Sequence, residues 1–110
     1  MSRRSPADQG RPDANQAGIM QDYRDAGCSV VDLHGVGFGC PDLMIGCAGR
    51  TELVEVKTDE GELSPGQVVF VRDWRGSKVV IVRNRDGVMV HVQAIRRRVV
   101  EQSWRPPPVA

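Results

Sequence analysis

Asp42, Glu55 and Lys57 bring two carboxylates and an amine together at strand-like spacing in this chain. Asp42 follows Pro41 and opens an apolar run, Asp-Leu-Met-Ile; thirteen residues later Glu55-Val56-Lys57 closes a second run that begins at Thr51. Between them, Cys47-Ala48-Gly49-Arg50 reads as a hairpin turn. A turn centred between Ala48 and Gly49 sets Cys47 opposite Arg50, Ile45 opposite Glu52 and Asp42 opposite Glu55. Opposed residues share a face, with side chains about 5 Å apart. Lys57, two residues past Glu55, points to that face as well, while Leu43, Ile45, Val54 and Val56 fall on the other. Two carboxylates forced together on a largely apolar sheet repel, and each resists ionisation unless a cation joins them. All-oxygen ligation completed by water suits Mg2+ or Mn2+ better than zinc. Such an ion acidifies a bound water and polarises a phosphoryl oxygen. A lysine beside it orients the water and offsets charge building on a phosphate. The chemistry this pattern leads us to expect is phosphodiester hydrolysis. Taken singly, Glu-x-Lys in a strand is more often a solvated face, and Asp42 an ordinary strand-start acid. The ordered combination is what points to a site.

Several elements must position these residues. Asp13 reads as a helix N-cap with Gln16 as capping-box partner. Ile19, Met20, Tyr23 and Ala26 follow at helical spacing and Gly27 supplies a stop, so residues 14–26 are expected to be helical. Residues 29–33 form a strand that runs into the turn His-Gly-Val-Gly-Phe-Gly-Cys. The glycines of that turn suggest a tight bend that lets a DNA backbone approach the sheet. Strands over 42–45 and 51–57 come next, then an acidic loop over 58–62 with Asp59, Glu60 and Glu62 in solvent. Leu63, Ser64, Pro65, Gln67 and Val68 fit staple, N-cap, first helical position, capping-box partner and staple partner of a second helix, which reaches about Trp74. A strand over 78–82, a turn at Asp86-Gly87 and a short basic helix over about 92–102 complete the order α-β-β-β-α-β-α. The expectation is a small α/β domain with a mixed central sheet flanked by helices, over residues 13–104, between flexible ends at 1–12 and 105–110.

Composition sets outer limits. With 110 residues the chain has room for one domain and one core. Its longest aliphatic run, Val79 to Val82, is far short of a membrane span. The N-terminal arginines have no apolar segment behind them, so no secretory signal is expected. Cys28, Cys40 and Cys47 match neither a disulfide framework nor a zinc site and suggest small, reduced, buried thiols in a cytoplasm. The net charge of +1 conceals a division: residues 1–71 carry −5 and residues 72–105 carry +6. The basic third, including Arg96, Arg97 and Arg98, could track phosphates, or those three could simply form a solvated helix face. His34, just past the first strand, is more often structural than catalytic in such a turn, and His91 has no partner pattern.

At Pro41-Asp42 and Glu55-Val56-Lys57 the sequence resembles the PD-(D/E)XK nucleases. The stretch DANQAGIMQDYRDAGCSVVDLHGVGFGCPDLMIGCAGRTELVEVK, followed by LSPGQVVFVRDWRG, is similar to small phage-type VRR-NUC nucleases, relatives of Holliday junction resolvases. The resemblance implies a restriction-endonuclease-like core and an Mg2+-dependent endonuclease, Mn2+ substituting, acting on branched DNA. It implies that Asp42, Glu55 and the main-chain carbonyl of Val56 bind the metal and that Lys57 positions the water. Gln67 matches a recurrent glutamine thought to face the active site, and its place in a capping box is an equally good reason for its presence. Relatives carry a glutamate in the first helix where this chain has Gly18. Asp22, one turn on, could take its part. Related small nucleases often dimerise, and a domain this small offers little surface for DNA alone, so a homodimer is expected. The alternative is a catalytically weakened DNA-binding or assembly module on the same fold.

Overall fold

Ala48 and Gly49 both have left-handed backbones, with φ of 52° and 80°. This is the combination that a two-residue hairpin turn of the right twist requires. It belongs to a computed structural model, which describes residues 14–109. The described elements are α1 (Ala14–Asp25), β1 (Ser29–Asp32), β2 (Leu43–Cys47), β3 (Arg50–Val56), α2 (Pro65–Asp73), β4 (Val80–Val82) and α3 (Arg85–Ser103). The expected N-cap at Asp13 and the arm over 1–12 lie outside the described residues. Among the described residues, no helix is long and apolar enough to cross a membrane.

The turn fixes the register. Cys47 pairs with Arg50, Ile45 with Glu52 and Leu43 with Val54, as the sequence leads one to expect. β1 adds to β2 antiparallel and β4 adds to β3 parallel, giving a mixed sheet in the order β1-β2-β3-β4. The parallel pair needs a crossover, and α2 lies within it.

One face of the sheet carries the core. Leu43, Ile45, Cys47, Val54, Val56 and Val82 meet Ile19 and Tyr23 of α1 and Val88, Val92 and Ile95 of α3. The α3 residues recur at helical spacing, which lays one stripe of the helix on the sheet. Burying each such aliphatic side chain stabilises the fold by about 1.5–3 kcal/mol.

α3 is longer than its sequence suggests. The Asp86-Gly87 pair does not form a turn before the helix; it lies inside the first turn of α3. Asn84 is the N-cap, and its side-chain oxygen accepts from the Gly87 amide at 2.9 Å. A cap of this strength outweighs the turn propensity of Asp-Gly and starts the helix at Arg85. β4 is correspondingly brief, and Lys78 and Val79 precede it. Beyond α3, residues 104–109 have no regular structure and are exposed.

The core face also holds a charge. Glu52 is 2% exposed, since the hairpin register that sets it opposite Ile45 points it inward. His91 Nε2 lies 2.6 Å from Glu52 Oε1, and Tyr23 Oη lies 2.7 Å from His91 Nδ1. A carboxylate only accepts, so we assign the imidazole proton to Nε2; Nδ1 then accepts from the Tyr23 hydroxyl. Burial, with smaller contributions from Cys28, Glu52 and Cys47, raises the Tyr23 phenol well above its ordinary range, so it stays a donor. Arg98 Nη1 reaches Glu52 Oε2 at 3.3 Å, and Arg50 Nε stands 3.7 Å from the same oxygen. The chain Tyr23–His91–Glu52 thus ties α1, α3 and β3 together through the core.

Breaking a buried pair leaves its partners unsatisfied. Glu52→Ala is expected to lower the unfolding free energy by about 3–5 kcal/mol in urea denaturation at pH 7. The double variant Glu52→Leu, His91→Leu should regain much of that loss. A single-variant cost below about 1 kcal/mol would contradict the network.

Candidate active site

Asp42 sits just before β2, where its carbonyl accepts from the Leu33 amide at 2.8 Å. It continues the hairpin register one pair past Leu43 and Val54, which sets it opposite Glu55. Asp42 Oδ2 accepts from the Val56 amide at 2.9 Å. Asp42 and Glu55 are 3% and 1% exposed, so both carboxylates are removed from bulk water. Cys40, two residues ahead of Asp42, is half-buried beside them. Burial first, and then the charges of Glu55 and Asp42, push its thiol up. Cys40 thus lies near enough to Asp42 and Glu55 to feel their charges. Sequence reasoning treated Cys40 as one more small apolar residue; its position in alternation with Asp42 was the available signal.

α2 enters the site through Gln67. Ser64 caps the helix, its Oγ accepting from the Gln67 amide at 3.3 Å, with Pro65 in the first turn. Gln67 Oε1 accepts from the Ser64 amide at 2.8 Å and completes the capping box. The other end of the same amide, Nε2, donates to Glu55 Oε1 at 2.9 Å. The capping-box reading of Gln67 is met, and the same side chain also reaches Glu55. The helix comes this close because Gly39 has no side chain: a Cβ there would lie 2.3 Å from the Gly66 carbonyl oxygen. Gly37, Phe38 and Gly39 all have positive φ, which brings the loop back toward Cys40. The chain that approaches this bend is the first turn of α2.

Lys57 follows the last β3 residue and is half-buried. Its amide donates to Val82 O at 3.0 Å, and its carbonyl accepts from Asn15 Nδ2 at 3.2 Å. Asn15 also reaches Arg83 O at 3.2 Å, so the start of α1 pins the ends of the parallel pair β3 and β4. The loop beyond is held by Arg83 Nη1, which donates to the carbonyls of Thr58 at 2.6 Å and Gly61 at 2.7 Å. Asp59, Glu60 and Glu62 are exposed, as expected. Asn15 and Arg83 were not singled out in the sequence. Their work is done on backbone carbonyls, which leaves no pairing pattern to read.

The other candidates lie elsewhere. The His34 amide donates to Asp32 Oδ1 at 2.8 Å, and Gln16 Nε2 reaches the same oxygen at 3.2 Å. Arg96, Arg97 and Arg98 belong to α3, on the core side of the sheet, opposite the face of Asp42 and Glu55. Arg96 Nη2 donates to the Ala26 carbonyl at 2.6 Å, closing the end of α1, and Arg98 binds Glu52. Arg97 is exposed. Two of the three arginines therefore serve the fold.

Among the described residues, no group of three or more His, Cys, Asp and Glu side chains is arranged to hold a metal ion. Asp22 accordingly does not join Asp42 and Glu55. Two carboxylates with water filling the remaining positions still suit Mg2+, which is commonly held by one or two carboxylates. The donor set fits a hard divalent cation in that limited form.

Gly18 is exposed, and a Cβ there would meet nothing within 4 Å. Gly18→Glu is expected to stabilise the protein by roughly 0.5 kcal/mol through helix propensity alone, measured by urea denaturation. A loss of stability would contradict this placement of α1. No protein-family model, curated protein or solved structure matches this chain.

Proposed function

We propose that this protein is a divalent-metal-dependent endonuclease that hydrolyses DNA phosphodiester bonds, with preference for branched DNA. One observation carries the reading: Asp42 and Glu55 are buried at adjacent places on one sheet face, with Gln67 Nε2 2.9 Å from Glu55 Oε1. The motif resemblance and the α-β-β-β-α-β-α order with its mixed four-stranded sheet support it.

In this reading Asp42 and Glu55 hold Mg2+ or Mn2+, with the Val56 carbonyl as a further ligand. Such an ion, when bound, supplies acidity to a coordinated water and polarises the phosphoryl oxygen. Lys57 orients the attacking water and offsets the negative charge that grows on the phosphate. Gln67 fixes the Glu55 carboxylate before substrate arrives, so less reorganisation is needed during reaction. Water adds to phosphorus and gives up one proton to solvent, the bridging P–O bond breaks, and the departing oxygen takes a proton from solvent.

The basic stretch over 72–105 contributes less to DNA than its count suggests, because Arg83, Arg96 and Arg98 hold carbonyls or Glu52. Arg75, Lys78, Arg85 and Arg97 are exposed and are the candidates for phosphate contact. A homodimer is part of the proposal. Its support is the uncovered apolar side of α2, where Val68, Val69 and Trp74 are exposed and Phe70 stacks on Trp74 at 5.3 Å.

A second reading, a DNA-binding or assembly module with weakened catalysis, is favoured by Gly18 and by the lack of a third acid among the described residues. One panel separates the two: nicking of single-stranded, duplex, flap and four-way-junction DNA with Mg2+ or Mn2+. The endonuclease reading expects metal-dependent nicking of branched DNA, lowered at least about 100-fold by Asp42→Ala, Glu55→Ala or Lys57→Ala. Undiminished cleavage in all three variants overturns the proposal. Retention of DNA without product in either metal selects the second reading.

A further inference from the structure

Cys28 and Cys47 are both free thiols, and both are buried in the core. The β1–β2 register runs from Asp32 opposite Leu43 to Ser29 opposite Gly46, so its next pair sets Cys28 opposite Cys47. In an antiparallel ladder, opposed residues alternate between pairs that exchange backbone hydrogen bonds and pairs that do not. The Leu33 amide bonds to the Asp42 carbonyl at 2.8 Å, which makes that pair a hydrogen-bonded one. Alternation from there makes Val31 with Met44 and Ser29 with Gly46 hydrogen-bonded pairs, and leaves Cys28 with Cys47 a non-hydrogen-bonded one. Two observations agree with this. The Cys28 amide turns away to the Tyr23 carbonyl at 2.9 Å. Cys47 pairs with Arg50 on its other side, across the two-residue turn.

This is the pairing at which two opposed cysteines can be joined. At a non-hydrogen-bonded pair the Cα atoms stand about 4.5 Å apart and the side chains are at their closest. A disulfide spans Cα separations of about 4.4–6.8 Å. The strands are close beside it as well: a Cβ on Gly46 would lie 3.9 Å from Ser29 Cβ. Both side chains point to the core face, so each thiol has the other for a neighbour. Burial first, and then a hydrogen bond with the Cys47 thiol, push the Cys28 thiol up. Cys40, the third cysteine, lies beyond the opposite end of β2.

We propose that Cys28 and Cys47 form a reversible oxidation site, closing to a disulfide when the protein meets hydrogen peroxide. The thiol pair gives up two electrons and two protons, and the peroxide is reduced to two waters. Cys28 Sγ loses its proton and attacks one peroxide oxygen; the O–O bond breaks, and the departing hydroxide takes that proton. Cys47 Sγ then attacks the sulfur of the sulfenic acid so formed; the S–O bond breaks, and the second hydroxide leaves with the Cys47 proton. The link closes a loop that holds β1, the glycine-rich bend and Asp42. Its main effect is to restrict the unfolded chain.

Peptide mapping of the full-length protein after peroxide treatment under native conditions, without reductant, tests the site. A Cys28–Cys47 link with the loss of two hydrogens is expected, undone by dithiothreitol. Cys40→Ser should form the same link, and Cys28→Ser should form no intramolecular link. Urea denaturation of the linked protein should show an unfolding equilibrium constant roughly 100-fold smaller than that of the reduced protein. Oxygen added to single cysteines without a link, a link through Cys40, or a Cys28–Cys47 link that forms only in urea overturns the proposal. A linked protein less stable than the reduced one overturns it too, since the native pairing would then not fit the bond.

Discussion

The register of the β2–β3 hairpin is the constraint on which the rest of this structure depends. Side chains alternate along a strand, so a slip of one residue would exchange its two faces completely. With the turn at Ala48 and Gly49, Leu43, Ile45, Val54 and Val56 face α1 and α3, and Asp42 and Glu55 face the other way. Ala48 holds a left-handed φ that favours glycine or asparagine, a local strain offset by the core that the register assembles. The same choice turns Glu52 inward, and the fold answers with His91, Tyr23 and two arginines. The two buried acidic centres, one of fold and one of candidate function, therefore lie on opposite faces of one hairpin.

The two faces are finished differently. On the core side, long stripes of aliphatic residues from two helices meet the sheet, and His91 reaches Glu52 through well-packed surroundings. On the site side the covering is slight: a glycine-rich bend, Cys40, and the first turn of α2 with Gln67. Local stability follows buried apolar contact. The element that orients Glu55 accordingly has no buried residue of its own.

Much of this was legible from residue types and spacing. Cys47-Ala48-Gly49-Arg50 set the register, and Ser64-Pro65-Gly66-Gln67 announced the α2 cap with its reciprocal bonds. The order and type of all seven elements follow from such local signals. What escaped were contacts between residues distant in sequence. His91 is 39 residues from Glu52 and 68 from Tyr23, and a lone histidine carries no mark of either. Glu52 did carry one: the register that pairs it with Ile45 puts a charge on the core face, where it must find a partner. The start of α3 was misplaced because Asp86-Gly87 is a strong turn signal in isolation. Asn84, two residues earlier, decides the outcome through its bond to the Gly87 amide. Arg96 and Arg98 read equally well as a phosphate track or a solvated helix face, and only tertiary structure shows that they hold Ala26 and Glu52.

Asp42 and Glu55 are proposed to bind a divalent cation together. Titration calorimetry with Mn2+ tests it without reference to any nucleic acid. Saturable binding to the wild-type protein is expected, and loss of that binding in Asp42→Asn with the fold retained by circular dichroism. A wild-type protein that takes up no Mn2+, or an Asp42→Asn protein that binds it equally well, would rule out a metal site at this carboxylate pair.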